Sequence, residues 1–163
     1  MEKLILLLSV LSSAAIAEAP LEERKYSLGI GMGAAYSGIG ANFSFVSEND
    51  MKYISAGCVE YSSSNGSTCG FGAGWIVTDL FDFNSNKHGF GVYASLVGNE
   101  QYGVPEGSGY SFHDNDYYGF GVSYTYFLRG IDQPGFTFGA SLHATNAKEA
   151  GKLGSFLQVG YQF

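Results

Sequence analysis

The chain has 163 residues, and its composition excludes several classes of protein. Charged residues make up 14% and aromatic residues 16%, 24 residues are glycine, and the formal net charge is −7. An acidic chain without basic clusters argues against nucleic acid as a partner. Its longest apolar run is much shorter than the roughly 20 residues that a membrane-spanning helix needs.

The first residues predict a secretory signal peptide. Lys3 precedes an apolar run that begins at Leu4, and small residues then lead to Ala17, after which cleavage is expected. The predicted organisation is a signal peptide over residues 1–17 and one domain over residues 18–163. Export would place both cysteines of the chain in an oxidising compartment.

The rest of the chain shows apolar residues at every second position, which is the period of a β-strand. Eight such segments, separated by turn residues, span approximately 26–35, 39–46, 51–62, 67–78, 88–98, 117–128, 135–145 and 153–163. Eight strands of about ten residues use the whole domain. The predicted fold class is therefore all-β, with eight antiparallel strands.

Cys58 and Cys69 flank a Ser-Ser-Ser-Asn-Gly stretch, so they can face each other across a hairpin and form a disulfide. The facing of the third segment is ambiguous. If Lys52 and Glu60 point inward, Cys58 does too, whereas the alternation around Trp75 places Cys69 outward. Because opposed residues share a face, the disulfide requires a β-bulge or the opposite facing of this segment. The alternative is two buried free thiols.

The longest predicted connection, residues 99–116, is acidic and aromatic. Its candidate contact residues are Tyr102, Glu106, Tyr110, Phe112 and Asp114. Clustered carboxylates beside asparagine suit a hard cation such as calcium, but the spacing matches no known ion loop. We therefore predict neither a metal site nor a cofactor. Exposed aromatic residues beside charges favour a contact surface instead.

The last segment carries the most specific pattern of the chain. It places Leu157, Val159, Tyr161 and Phe163 on one face. This alternation with a terminal phenylalanine resembles the closing strand of the outer-membrane β-barrels of Gram-negative bacteria. Among them, the OmpA membrane domain and the OmpX-like proteins are small and eight-stranded. In that family, the closing strand is the signal that the barrel-assembly machinery recognises.

The resemblance implies an up-and-down transmembrane barrel in the cell outer membrane, surrounded by lipid and lipopolysaccharide. The family's topology, with both termini periplasmic, would place connection 99–116 outside the cell. Of the charged residues after the predicted leader, only Lys52 and Glu60 fall within the eight segments. This agrees with a barrel, because a Lys or Arg that faces lipid at mid-membrane costs about 2–4 kcal/mol.

The expected function is non-enzymatic: envelope integrity, or adhesion to a host or cell-surface ligand through the outer loops. A narrow pore for ions or small apolar molecules is an alternative. The glycines at alternate positions near the start of the domain favour a packed interior, because small inward residues make room for larger ones from neighbouring strands.

A second alternative is an enzyme. The stretch from Ser141 to Asn146 resembles a motif of the lipid A deacylases, which carry His-x-Ser-Asn near the end of the penultimate strand and a Glu in the last strand. Here His143 matches, Thr145 replaces the nucleophilic serine, and no Glu follows Glu149. A nucleophile needs a base, and the base needs an orienting partner. We therefore expect His143 to line the barrel interior without a catalytic role.

Overall fold

The computed structural model describes residues 26–62, 66–81, 85–106 and 109–163. The predicted signal peptide lies outside these ranges. Eight strands follow in chain order: β1 Tyr26–Gly33, β2 Gly38–Val46, β3 Asp50–Ser62, β4 Gly66–Val77, β5 His88–Glu106, β6 Gly109–Phe127, β7 Gly135–Thr145 and β8 Leu153–Gln162. Ala34–Tyr36 form a single 3-10 turn between β1 and β2, which we call the inner turn.

Each strand pairs with the next in antiparallel fashion, and β1 pairs with β8, so the sheet closes into an eight-stranded barrel. This confirms the predicted fold class. One line of partners runs through Leu28, Phe43, Ile54, Ala73, Ala94, Phe120, Ala144 and Leu153. The line thus reaches β8 at Leu153, six residues before Val159. Because Val159 pairs with Met32 in antiparallel register, Leu153 is level with a point six positions beyond Met32, which is ten positions beyond Leu28. Such a stagger in eight strands corresponds to a tilt of about 40°.

The period-two alternation sorts side chains into a polar interior and an apolar exterior. Outward positions form an exposed apolar belt that includes Leu28, Ile30, Met32, Ile39, Phe43, Ile54, Phe71, Trp75, Val92, Phe120, Val122, Phe138, Leu142, Leu157 and Val159. Buried inward positions include Ser27, Asn42, Ser44, Ser55, Thr125, Thr137, Ser141, Gln158 and Gln162. This distribution is the reverse of that in a water-soluble protein.

The inner turn folds into the barrel, where Tyr36 is completely buried. The Tyr36 hydroxyl lies 3.1 Å from Thr137 Oγ1 and accepts a hydrogen bond from Gln162 Nε2 at 3.4 Å. The Ala35 amide donates to Gln158 Oε1, and the Ala35 carbonyl accepts from Asn42. The turn thus fills the middle of the barrel. The sequence had predicted that the first strand continues to residue 35, but β1 ends at Gly33.

Hydrophobic side chains close the barrel at the end where β1 begins and β8 ends. Met51, Ile76, Phe127 and Ile131 are almost completely buried there and belong to the same hydrophobic cluster as Tyr36. Apolar packing at one end and polar contacts around the inner turn fill the interior with side chains, as the alternating glycines predicted.

The structure corrects one predicted connection. Residues 99–116 were expected to form a loop, but β5 and β6 continue through them and pair from Gly98–Tyr117 to Glu106–Gly109. The prediction was wrong because a two-stranded ribbon that projects beyond a barrel has no buried face. Its residues therefore show no apolar alternation, on which the strand assignment depended.

The contacts of Tyr36 lead to a first prediction. Tyr36→Phe removes the hydroxyl and leaves Thr137 and Gln162 with one partner fewer inside the barrel. The free energy of unfolding should fall by about 1–3 kcal/mol, the usual cost of an unsatisfied buried polar group. Tyr36→Ala should cost more, about 3–5 kcal/mol, because it also leaves a cavity.

The measurement is equilibrium unfolding in urea with the protein in detergent micelles. Tyr118→Phe is the matched control, because this tyrosine is exposed on the outer face; its effect should stay within about 0.5 kcal/mol. Equal stability of the Tyr36 and Tyr118 variants would contradict a filling role for the inner turn.

Candidate functional site

The end of the barrel opposite Tyr26 and Phe163, here called the upper end, carries most of the residues that the sequence singled out. The longest feature there is the projecting part of the β5–β6 hairpin, residues 98–106 and 109–117, which we call the ribbon. Its nine residue pairs extend about 30 Å at the usual rise of a strand. Neither edge of the ribbon pairs with β4 or β7, whose ladders end at Ser95 and Gly119 respectively.

Side chains on facing strands hold the ribbon together. Asn99 donates to Asp116 at 2.8 Å and Gln101 donates to Asp114 at 3.2 Å. The rings of Tyr102 and His113 stack with their centroids 5.9 Å apart. Such cross-strand pairs stabilise an isolated ribbon that has no core beneath it.

The ribbon places the predicted contact residues on one projecting structure. Glu106 and Asp114 are exposed, and Tyr102 is half-buried with the Lys148 ammonium 4.9 Å from its ring centroid. Tyr110 and Phe112 lie on β6 opposite Pro105 and Gly103. The ribbon carries four acidic residues and no Lys or Arg, so its charge has one sign.

Glu100 connects the ribbon to the β7–β8 loop, residues 146–152. Its carboxylate accepts hydrogen bonds from the backbone amides of Lys148, Glu149 and Ala150 at 2.8–3.0 Å, and from the Asn115 side chain at 3.2 Å. The amides of Lys148 and Ala150 are the main cause that lowers the pKa of Glu100 to about 2, against a smaller opposing effect of desolvation. The loop is thereby held against the ribbon.

The sequence did not single out Glu100 from the other acids of the ribbon. Its partners are amide groups about 50 residues away, and the sequence around Lys148 contains no feature that predicts an anion-binding loop. Ala147, at the start of this loop, is completely buried, so the segment packs onto the upper end of the barrel.

Cys58 and Cys69 form a disulfide between β3 and β4, as predicted. They are direct partners in the ladder, and a bulge follows between Cys58 and Glu60. Lys52 points outward, pairs with Asp50 at 3.4 Å and lies 5.5 Å from the Trp75 ring centroid. Lys52 and Cys58 therefore both point outward from β3. This is the opposite facing of the segment that the disulfide was expected to require, and both cysteines lie on the outer face.

His143 lies in the barrel interior, as expected for a lining residue. Its Nδ1 is 2.7 Å from the Tyr93 hydroxyl, which also donates to Ser141 at 3.1 Å, and its ring packs 5.1 Å from that of Phe156. The Thr145 hydroxyl donates to the Gly151 carbonyl at 2.8 Å. His143 and Thr145, the two candidate catalytic residues, thus each have a hydrogen-bond partner that is not a carboxylate.

The four residues of the predicted assembly signal all lie on or directly after β8. Leu157 and Val159 are exposed on the outer face. Tyr161 contacts the rings of Phe136 and Phe163 with centroids 5.1 and 5.0 Å apart. The Phe163 amide donates to the Leu28 carbonyl at 2.7 Å, so the terminal residue joins the seam between β8 and β1.

A polar cleft lies between the β3–β4 hairpin and the ribbon. Its lining includes Glu60, Thr68, Asn99, Asp114 and Asp116. Within the ranges that the structure describes, no three His, Cys, Asp or Glu side chains are grouped so that they could hold a metal ion. In the same ranges, no helix has the length and hydrophobicity required to cross a membrane.

Comparison with protein families, with curated proteins and with solved structures gives no significant match. The functional argument therefore depends on the residues and geometry of this chain.

The Glu100 contacts predict a pH-dependent loop. Because folding lowers the pKa of this carboxyl from 4.5 to about 2, its stabilising effect is fully present above about pH 4.5 and is lost as the pH falls through about 2. In nuclear magnetic resonance spectra, the amide resonances of Lys148, Glu149 and Ala150 should shift together with a midpoint near pH 2.

Glu100→Gln should release the loop at neutral pH, because a neutral amide accepts hydrogen bonds less strongly than a carboxylate. Trypsin should then cleave after Lys148 and Lys152 faster than in the unmodified protein. Glu106→Gln, at an exposed position near the end of the same ribbon, serves as the control and should leave the rate unchanged. Unchanged cleavage in both variants would contradict an anchoring role for Glu100.

Proposed function

We propose that this protein is an integral outer-membrane β-barrel of a Gram-negative bacterium that displays the ribbon as a contact surface and performs no enzymatic reaction. The apolar belt is the observation that supports membrane insertion. A closed ladder gives each strand a paired neighbour on both sides over the seam, and the exposed apolar side chains supply a surface that lipid can solvate. In water, so large an apolar surface would lead to aggregation.

Aromatic residues at the end of the barrel where β1 begins and β8 ends support the same proposal. Three groups of rings lie around this end: Tyr26 with Phe43 and Phe45, Phe81 with Phe90 and Tyr124, and Phe136 with Tyr161 and Phe163. Aromatic girdles of this kind mark the interface between membrane and water in transmembrane barrels. Lys52 lies near this boundary, where its charge reaches water at small cost.

The orientation follows from the family that the closing strand resembles. With periplasmic termini, as in the OmpA membrane domain and the OmpX-like proteins, the ribbon projects outside the cell. Its exposed acids and its stacked Tyr102–His113 pair suit a partner that offers basic and hydrogen-bonding groups, such as a host or cell-surface protein. Leu157, Val159, Tyr161 and Phe163 would serve as the signal for the barrel-assembly machinery.

The location is tested by fractionation and by gel mobility. We expect the protein in the outer-membrane fraction, and we expect the unheated sample to migrate at a different position from the boiled one because the barrel stays closed in detergent. A soluble periplasmic protein without a heat-dependent shift would contradict the proposal.

The orientation is tested with an epitope tag inserted between Gly107 and Ser108 at the end of the ribbon. An antibody should bind this tag on intact cells. The matched control carries the same tag between Ser47 and Glu48, in the β2–β3 turn at the other end, and should bind the antibody only after the outer membrane is permeabilised. The reverse result would contradict the proposed orientation.

The non-enzymatic part of the proposal has a separate test. The neutral partners of His143 and Thr145 support a structural role for both residues, since among the described residues the imidazole has the Tyr93 hydroxyl and not a carboxylate as its hydrogen-bond partner. Lipid A from cells that express the protein should have the same mass spectrum as lipid A from cells that express His143→Ala. Loss of an acyl chain in the former alone would show that the protein is a hydrolase.

A further inference from the structure

The β1–β2 hairpin is much shorter than its neighbours. Its ladders end at Met32–Val159 on one side and at Ile39–Cys58 on the other. Beyond these pairs, β8 continues to Leu153 and β3 continues to Ser62. The two facing edges, residues 153–157 and 59–62, thus have no strand between them within the described residues, and we call the space between them the notch.

The notch lies within the height of the apolar belt. Leu153 is six residues from Val159 along β8, which is about 15 Å of height for a strand tilted by about 40°. Leu153 and Leu157 are 82% and 79% exposed, and only the small Ser155 interrupts the apolar side chains on the outer face of β8 over this distance. If the belt faces lipid, the β1–β2 hairpin ends well below the upper limit of the hydrocarbon region.

The inner turn and one aromatic side chain form the inner boundary of the notch. Ala34 and Ala35 are buried, and Phe156, which points inward from β8, packs against the hydrophobic cluster to which they belong. Phe156 therefore lies between the notch and His143, whose ring is 5.1 Å from its own. The residues on the notch side of this boundary and the ring on its lumen side are therefore apolar or aromatic.

We propose that the notch binds an acyl chain of an outer-leaflet lipid, which rests against the leucines of β8 and reaches Phe156. This inference rests on the proposed membrane location. The notch is continuous with the lipid-facing belt. Its flanks present Leu153 and Leu157 on β8 and Tyr61 on β3, whereas Glu60 on the β3 edge lines the polar cleft. Such flanks suit a hydrocarbon chain, because apolar surface is stabilised by apolar contacts.

The rim of the notch suits the polar part of a lipid. In the proposed orientation, the upper ends of the two edges lie near the membrane surface, where ester and headgroup oxygens of a bound lipid can accept hydrogen bonds from the backbone amides. A lipid therefore offers a chain for the apolar outer flanks of the notch and polar atoms for its rim.

The test uses quenching of tryptophan fluorescence by phosphatidylcholine brominated on its acyl chains, with the protein reconstituted in these vesicles. Trp75 is the sole tryptophan of the chain and points outward, so it reports membrane insertion directly. Phe156→Trp in a Trp75→Phe background reports the notch. Tyr93→Trp in the same background is the matched control, since it points inward where neighbouring strands are paired.

We expect brominated lipid to quench Trp75 and the tryptophan at position 156 by at least half, and to quench the one at position 93 by less than a tenth. Val59→Trp, on the opposite flank, should also be quenched and replaces the position 156 variant if that protein does not fold. Heat-dependent gel mobility verifies the folding of each variant.

The outcomes separate this inference from the proposed function. Failure to quench Trp75 would show that the barrel is not in the bilayer and would overturn both. Quenching of Trp75 with positions 156 and 59 as protected as position 93 would overturn the lipid site alone. Protection of these positions together with a dimeric protein would show that a second copy fills the notch, which also contradicts the proposal.

Discussion

Closure of the sheet between the first and the last strand is the constraint on which the rest of the structure depends. The seam is short, with four paired positions from Gly29–Gln162 to Met32–Val159, and the Phe163 amide extends it by one hydrogen bond. Because the ladder closes, each of the eight strands has a paired neighbour on both sides over the height of the seam, which makes an apolar exterior possible there. Residues at the seam therefore serve the whole barrel.

The seam also determines how the interior is filled. Tyr36 crosses the lumen behind it, and an added Cβ at Gly160 would approach the Tyr36 hydroxyl within 2.2 Å. At Gly31, an added Cβ would lie 2.4 Å from the Val159 carbonyl oxygen. Glycine at these two positions lets a large tyrosine lie directly against paired strands. The alternating glycines of β1 therefore make room for inward groups: Gly31 for the Tyr36 ring, and Gly29 for the Gln162 and Asn42 side chains.

Much of the barrel could be predicted because alternation is a local property of each strand. The eight strands and the closing segment follow from it, whereas the Cys58–Cys69 pairing was predicted from the turn residues between the two cysteines. The facing of β3 could not be decided from the sequence, because the energetic cost of an outward Lys52 was taken for a position in the middle of the membrane. In the structure, Lys52 lies at the edge of the apolar belt, where it contacts Asp50 and Trp75. The parts that the sequence did not predict depend on contacts between distant segments, as at Glu100, or lack a buried face, as in the ribbon.

The inner turn and the notch are two aspects of one feature. Residues that would have raised β1 and β2 to the height of their neighbours fold inward instead, because the lumen needs side chains to fill it. The segment between Gly33 and Gly38 therefore packs inside the barrel and does not extend the β1–β2 hairpin of its wall. On the opposite side of the barrel, β5 and β6 meet no such demand and extend into the ribbon.

This asymmetry gives the upper end two different surfaces. The tall side is polar, acidic and braced by the β7–β8 loop through Glu100, so it suits contacts in water. The low side is apolar and borders the belt, so it suits contacts with lipid. Because the inner turn determines the height of the low side, a substitution that expels Tyr36 from the lumen should alter both the packing of the interior and the shape of the notch. Filling of the barrel and the height of its low side are therefore coupled through a single side chain.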